Sequence, residues 1–99
     1  MLNETIDHVH DPHELRTYIH RTLCEKENLL ADQFRMTEMT LTRRGKPCGS
    51  QFSLQGPRRV RLGAIWVAER NEVYFYDAKG IRYLKVRLRH RLRPERDAA

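Results

Sequence analysis

"VRLGAIWVAERNEVYFYDAKGIRYLKVRL", residues 60–88, contains three strand-like runs separated by two turn signals. In the first run, both odd- and even-numbered positions are apolar from residue 63 to 68. The second run is aromatic, and the third alternates basic with aliphatic residues. Asp77 and Gly80 are the first and fourth residues of "DAKG", which favours a type I turn with a bulge at the glycine. Strands joined by such short turns predict an antiparallel meander.

Two more alternating runs precede this stretch, "RMTEMTLTRRG" and "SQFSLQ", with Gly- and Pro-containing turns after each. We therefore expect about five strands. Their expected bounds are 36–44, 50–55, 59–68, 72–77 and 81–90. Glycines 45, 49, 56 and 80 are all interpreted as turn residues.

A helix is predicted before the strands, because Asp11 and Glu14 form a capping box around Pro12, which suits the first helical position. Apolar residues then recur near every fourth position, at Leu15, Ile19, Leu23, Leu30 and Phe34. This spacing predicts a helix over 12–33. The expected fold is α+β: one N-terminal amphipathic helix, then a curled antiparallel meander of about five strands, with the helix packed on one sheet face.

Length and composition bound the class of protein. The chain has 99 residues, of which 39% are hydrophobic and 32% charged, as in a small single domain. We expect a flexible leader at 1–10, one domain at 11–93 and a disordered tail at 94–99. No apolar run reaches the length of a membrane span, and the first residues lack the features of a secretory signal. Cys24 and Cys48 lack CxxC spacing and are expected to be free thiols, which favours a cytoplasmic location.

Charge is divided unevenly along the chain. Residues 1–40 hold eight acids and four bases, whereas residues 41–99 hold five acids and fifteen bases. The basic half suggests contact with a polyanion. Packing of the acidic half against the basic half, within one chain or between two, accounts for part of the same charge.

Turn lengths suggest which residues share a sheet face. We expect Phe75 opposite Tyr83, Tyr74 opposite Leu84, and Trp66 opposite Phe75. One face, expected to lie under the helix, then carries Ile65, Val67, Tyr74, Leu84, Val86 and Leu88. The other carries Leu62 and three aromatic residues, followed by a basic row. The aromatic residues are Trp66, Phe75 and Tyr83, and the basic row is Lys85, Arg87, Arg89 and Arg91.

A basic row beside aromatic rings is typical of surfaces that bind single-stranded nucleic acid, where cations contact phosphates and rings stack on bases. The candidate nucleic-acid-binding residues are Lys85, Arg87, Arg89, Arg58, Arg59, Arg61, Trp66, Phe75 and Tyr83. Our first hypothesis is therefore a small basic module that binds RNA or another single strand.

The alternative hypothesis is a non-catalytic module for protein interaction or homo-oligomerisation. It would use the second sheet face, or the edge formed by the last strand, against a second copy or an acidic partner. Lysine and arginine also protect edge strands from aggregation, so the basic row has this simpler interpretation as well.

Metal binding and catalysis have weaker support. His8, His10 and His13 follow an H-x-H-x2-H pattern that zinc can use, but no fourth ligand is evident. Cys48 lies beside Lys46, which favours a thiolate, yet no histidine is placed to act as its base. We expect no metal site, no cofactor and no enzymatic activity.

Overall fold

The computed structural model describes residues 1–93, which form one α-helix, two short 3₁₀ turns and a six-stranded sheet. The helix α1 spans Pro12–Lys26, and the 3₁₀ turns occupy Ala31–Gln33 and Pro57–Arg59. The strands are β1 (Leu2–Ile6), β2 (Met36–Arg43), β3 (Lys46–Gln55), β4 (Arg61–Val67), β5 (Glu72–Tyr76) and β6 (Arg82–Leu88). The α+β class is confirmed, although the helix follows β1 instead of preceding all strands.

The sheet order is β1-β6-β5-β4-β3-β2. Strands β2 to β6 form the predicted antiparallel meander, whereas β1 pairs in parallel with β6, with Leu2 opposite Leu84. The flexible leader predicted for 1–10 is therefore wrong, since these residues complete the sheet and Val9 is buried. The last strand is consequently not an edge, and the outer strands are β1 and β2. The tail predicted for 94–99 lies outside the described residues.

Helix α1 begins as predicted, because the Asp11 side chain accepts a hydrogen bond of 2.8 Å from the Glu14 amide. It ends earlier than predicted. Asn28 takes a left-handed conformation with φ 55°, and the Leu29 amide donates to the Cys24 carbonyl at 2.8 Å. Asparagine tolerates this conformation well, so it ends the helix much as glycine does.

The core lies between α1 and one sheet face. Leu15, Ile19 and Leu23 of the predicted stripe are buried there, whereas Leu30, beyond the helix end, is 61% exposed. The sheet side of the core comprises Phe52, Leu54, Leu62, Ala64, Trp66, Val73, Phe75, Leu84, Val86 and Leu88. Helix packing on one face is thus confirmed, but the residues of that face differ from the prediction.

A one-residue shift between β5 and β6 explains why the residues on the helix side of the sheet differ from the prediction. Near the turn the register is as predicted, since the Asp77 amide donates to the Ile81 carbonyl at 2.9 Å and Tyr76 lies opposite Arg82. The next pair is Phe75 with Leu84, so Tyr83 is an extra residue. Because side chains alternate along a strand, one extra residue moves all later side chains of β6 to the opposite face.

Between β4 and β5 the predicted register is wrong by two residues, which leaves the faces unchanged. Trp66 lies opposite Val73, and Asn71 ends the turn with φ 53°. The buried Asn71 side chain accepts from Trp66 Nε1 at 3.2 Å and donates to the carbonyls of Leu88 (3.0 Å) and His90 (2.8 Å). This amide fixes the turn against the end of β6.

Gly49 was predicted to be a turn residue, and this is wrong. It is a buried residue of β3. A Cβ at this position would lie 2.1 Å from the Trp66 carbonyl oxygen of β4. The turn itself is formed by Arg44 and Gly45, with φ 55° and 77°, the pair of positive values that a type I′ hairpin requires. Gly49 is therefore required for the close approach of β3 to β4.

We expect Gly49→Ala to lower the free energy of unfolding by about 1–3 kcal/mol, because the backbone must shift to admit the methyl group. Urea denaturation measures the change. Gly63→Ala is the matched control: a Cβ there meets only the Phe52 carbonyl oxygen, at an ordinary 3.4 Å. Equal losses in the two variants would contradict the close approach at Gly49.

Candidate functional site

The face of the sheet opposite α1, called the open face below, is built from three cross-strand rows. The register fixes their members. The first row is Thr37, Ser53, Gly63, Tyr76 and Arg82; the second is Met39, Gln51, Ile65, Tyr74, Lys85 and Asn3; the third is Leu41, Gly49, Val67, Glu72, Arg87 and Thr5. Polar and aliphatic side chains are mixed, and Met39 is 59% exposed.

Strand β6 supplies three cations of the open face. Arg82, Lys85 and Arg87 stand one per row along this strand, and Arg61 lies at the start of β4 on the same face. The predicted basic row is therefore displayed at Lys85 and Arg87. Its neighbours are tyrosines and a glutamate of β5, not tryptophan and phenylalanine.

Glu72 is a carboxylate with only 4% of its side chain exposed. Its Oε1 accepts a 2.8 Å hydrogen bond from the Tyr74 hydroxyl, and its Oε2 lies 3.6 Å from Lys85 Nζ and 3.4 Å from an Arg87 terminal nitrogen. The hydrogen bond from Tyr74, then the charges of Lys85 and Arg87, hold the Glu72 pKa below its usual value, although burial opposes this. Glu72 is thus ionised at neutral pH and fixes both cations.

The Arg82 guanidinium lies over the rings of two tyrosines. Its guanidinium carbon lies 4.1 Å from the centre of the Tyr74 ring and 5.4 Å from that of Tyr76. The Tyr76 hydroxyl accepts hydrogen bonds from Arg82 Nε at 3.3 Å and Nη2 at 2.8 Å. Half-buried Tyr76 therefore retains part of its ring surface beside a fixed cation.

Three aromatic residues predicted to share the basic face lie on the helix side instead. Trp66 and Phe75 are only 3% and 0% exposed, so neither is available to stack on a base. Tyr83, the extra residue, packs its ring against Phe75 with centroids 6.3 Å apart, and Lys26 Nζ lies 4.5 Å above the Tyr83 ring. Burial, then the charge of Asp77, raises the pKa of Tyr83 to about 12.

The other predicted cations are exposed, but they lie outside the strands that form the open face. Arg58 and Arg59 belong to the 3₁₀ turn before β4, where both take left-handed φ values of 56° and 63°. Arg89 follows β6, and its amide donates to the Ile6 carbonyl at 2.9 Å. Arg91 donates to the Ala68 carbonyl at 3.3 Å.

Of the histidines in the H-x-H-x2-H pattern, His8 and His13 line one groove beside α1, and His8 and His10 contact different rings. His8 contacts the Tyr18 ring, with centroids 5.4 Å apart, whereas His10 stacks on His90 at 4.3 Å and contacts Glu14. Across residues 1–93, no three His, Cys, Asp or Glu side chains come together as metal ligands would.

Both cysteines are free thiols. Cys24 is buried in the core, and this burial raises the pKa of its thiol. Cys48 is the extra residue of a shift between β2 and β3, and its carbonyl accepts from the Ala68 amide at 3.0 Å. The backbone of Cys48 thus helps to join β3 to the β4–β5 turn.

No family model matches the chain, and comparisons with curated proteins and with solved structures give no match either. Among residues 1–93, no helix combines the length and apolar character that crossing a bilayer requires. The function is therefore inferred from the geometry of the open face.

Sequence reasoning missed Glu72, Tyr74, Tyr76 and Arg82 as members of this site. Glu72 and Tyr74 are two residues apart in β5, a spacing that puts both on one face. That spacing was available as a signal. Their meeting with Lys85 and Arg87 depends on the shift at Tyr83, for which the sequence gives no local sign.

Glu72 makes stability depend on pH. Because its pKa in the folded chain is below the usual value of 4.5, its stabilising contribution is complete above about pH 5 and is lost as the pH falls further. We expect Glu72→Gln to reduce the free energy of unfolding at pH 7, with the deficit shrinking towards pH 3. Chemical denaturation across this range measures the deficit.

Glu69→Gln is the control, since it removes one exposed acid of the neighbouring turn but none of these contacts. A deficit for Glu72→Gln that is the same at pH 7 and pH 3 would contradict an ionised, paired Glu72.

Proposed function

We propose that the protein is a non-catalytic module that binds single-stranded nucleic acid, RNA or DNA, across the open face. The observation that carries the proposal is the ordered cation row of β6, with Tyr76 and Arg82 at its end. Single-strand binding requires fixed cations that follow a backbone and ring surfaces that accept any base. A cytoplasmic location suits this role and the two free thiols.

The balance of charge supports the proposal. The three cations of β6 are opposed on the open face by one acid of β5, Glu72. Arg87 remains 67% exposed while it contacts Glu72, so its outward side is accessible to a phosphate. The paired residues are therefore arranged for a ligand in advance, which lowers the entropic cost of binding.

Glu72 has two opposing effects on binding in this proposal. It holds Lys85 and Arg87 in position, and its charge repels an incoming phosphate. At about 4 Å in water, one such repulsion is worth about 1 kcal/mol. Glutamine keeps the shape and an oxygen that accepts the Tyr74 hydrogen bond, so its main effect should be to remove the repulsion and strengthen binding.

We expect Glu72→Gln to bind a single-stranded oligonucleotide about fivefold more tightly than the wild type at low salt, from that repulsion alone. Glu72→Gln combined with Lys85→Gln and Arg87→Gln should bind much more weakly than Glu72→Gln. For this triple variant, the slope of log K against log salt concentration should be smaller in magnitude by about 1.4 than for Glu72→Gln. That difference is the value for two lost phosphate contacts. Fluorescence anisotropy over a salt series measures both quantities.

The Glu72→Gln background prevents a buried carboxylate from being left unpaired when the cations are removed. Arg21→Gln with Lys26→Gln, also in that background, is the matched control, because it removes two exposed cations from the helix side. Binding that is undetectable at low salt, or that falls equally in the control, contradicts the proposal.

A second candidate function is homo-oligomerisation through β2. This outer strand has eight residues, no proline or lysine, and the exposed Met39. An outer strand of this kind has few of the features that prevent edge-to-edge pairing. The sequence led us to expect the last strand as the pairing edge. In the structure the candidate edge is β2.

For this candidate we expect a concentration-dependent dimer in sedimentation equilibrium that Met39→Lys weakens, because a lysine on an edge opposes pairing. Leu2→Lys is the control, since Leu2 is an exposed apolar residue of the other outer strand, β1. A monomer at all concentrations rejects the candidate.

A further inference from the structure

A groove lies at one end of the open face, beside the first residues of β2. Its lining consists of Gln33, Phe34, Arg35, Thr37, Ser53, Gln55 and Arg61, and its volume is about 580 Å³. Grooves of a few hundred cubic ångströms are large enough for a nucleotide-sized ligand. The groove continues the first row of the open face, to which Thr37 and Ser53 belong.

The lining of the groove is positive and polar. It combines two guanidinium groups, two hydroxyls, two amides and one aromatic ring, with no carboxylate among the described residues that line it. Within residues 1–93, neither Arg35 nor Arg61 is paired with an acidic side chain. Two neighbouring grooves on the helix side differ in this respect, since one contains Asp32 and the other Glu14.

The two arginines are placed by different parts of the fold. Arg61 begins β4 opposite Gln55, and only Val60 separates it from the turn in which Arg58 and Arg59 take positive φ values. Arg35 precedes β2, and the carbonyl of the residue before it, Phe34, lies 2.7 Å from His20 Nε2. Since a carbonyl only accepts, Nε2 donates, and α1 thereby holds this wall of the groove.

We propose that this groove binds a phosphate group of the nucleic-acid strand, with Arg35 and Arg61 as its ligands and the Gln and Ser/Thr side chains contacting the attached nucleoside. Arginine suits this role because its planar group of donors matches phosphate oxygens. The inference rests on the proposed function, and it identifies where the strand continues beyond β6: across the first row, past Tyr76 and Gly63. Gly63, lacking a side chain, leaves this row open between Tyr76 and Ser53.

The same chemistry is presented by an internal phosphate, a terminal phosphate and a free nucleotide. Three probes separate these sources: a single-stranded oligonucleotide with a 5′-hydroxyl, the same strand with a 5′-phosphate, and a nucleoside monophosphate. NMR chemical shifts of the Thr37, Ser53 and Gln55 amides report occupancy of the groove, and anisotropy gives the affinity.

We expect the groove amides to shift with the strands, and Arg35→Gln or Arg61→Gln to weaken strand binding about tenfold each, the loss expected for one charge-assisted contact. Gln55→Glu provides a second variant that keeps both arginines. Its carboxylate, opposite Arg61, should occupy that guanidinium and weaken binding similarly. Arg43→Gln, at the other end of β2, is the control and should have little effect.

When the groove amides shift and the groove variants weaken binding, the inference is supported. In that case a gain in affinity from the 5′-phosphate identifies a terminal phosphate, and equal affinities identify an internal one. Binding that needs Lys85 and Arg87 but is unchanged in all groove variants overturns this inference and leaves the proposed function intact. Groove shifts with the monophosphate alone, without strand binding, reject the proposed function and reassign the groove to a free nucleotide. No shift of the groove amides with any probe overturns the inference.

Discussion

The extra residue at Tyr83 is the constraint on which the functional surface depends. The first pair after the turn, Tyr76 with Arg82, is in the register that the turn dictates. Insertion of Tyr83 then places Leu84, Val86 and Leu88 in the core and Lys85 and Arg87 on the open face. Without this shift the aliphatic residues of β6 would be exposed and the charges would lie under α1, at a cost no small domain could offset.

The same shift creates the pairing around Glu72. This carboxylate meets the two cations only because β6 presents Arg87 opposite it and Lys85 in the next row. A nearly buried acid on an otherwise open face is unusual, and here it is stabilised by one hydroxyl and two cations. Its consequence is a set of cations with fixed positions, as a binding surface requires.

Much of the fold follows from local sequence patterns. The Asp11 cap, the five strands of the meander and the Asp77–Gly80 turn have direct signals in residue type and spacing. The helix end does not, because it depends on Asn28 in a left-handed conformation that the apolar stripe conceals. Strand β1 was missed for another reason: it pairs in parallel with β6, whose residues lie about eighty positions away, and short polar runs such as residues 2–6 resemble a loose terminus.

The candidate site was predicted only in part, again for a physical reason. Alternation in "RYLKVRL" is unbroken through the extra residue, so periodicity identifies two sets of side chains in β6 but not the partners of each set. Lys85 and Arg87 were therefore recognised as a displayed row, whereas Trp66 and Phe75 were assigned to the wrong face. Their replacement by Tyr74, Tyr76 and Arg82 follows from the register alone.

The register across Tyr83 is tested most directly by solution NMR, through cross-strand nuclear Overhauser effects between the backbones of β5 and β6. The structure predicts contacts that join Phe75 with Leu84 and Tyr74 with Lys85. Contacts that join Phe75 with Tyr83 and Tyr74 with Leu84 would contradict it, because Lys85 and Arg87 would then lie on the same face as Trp66.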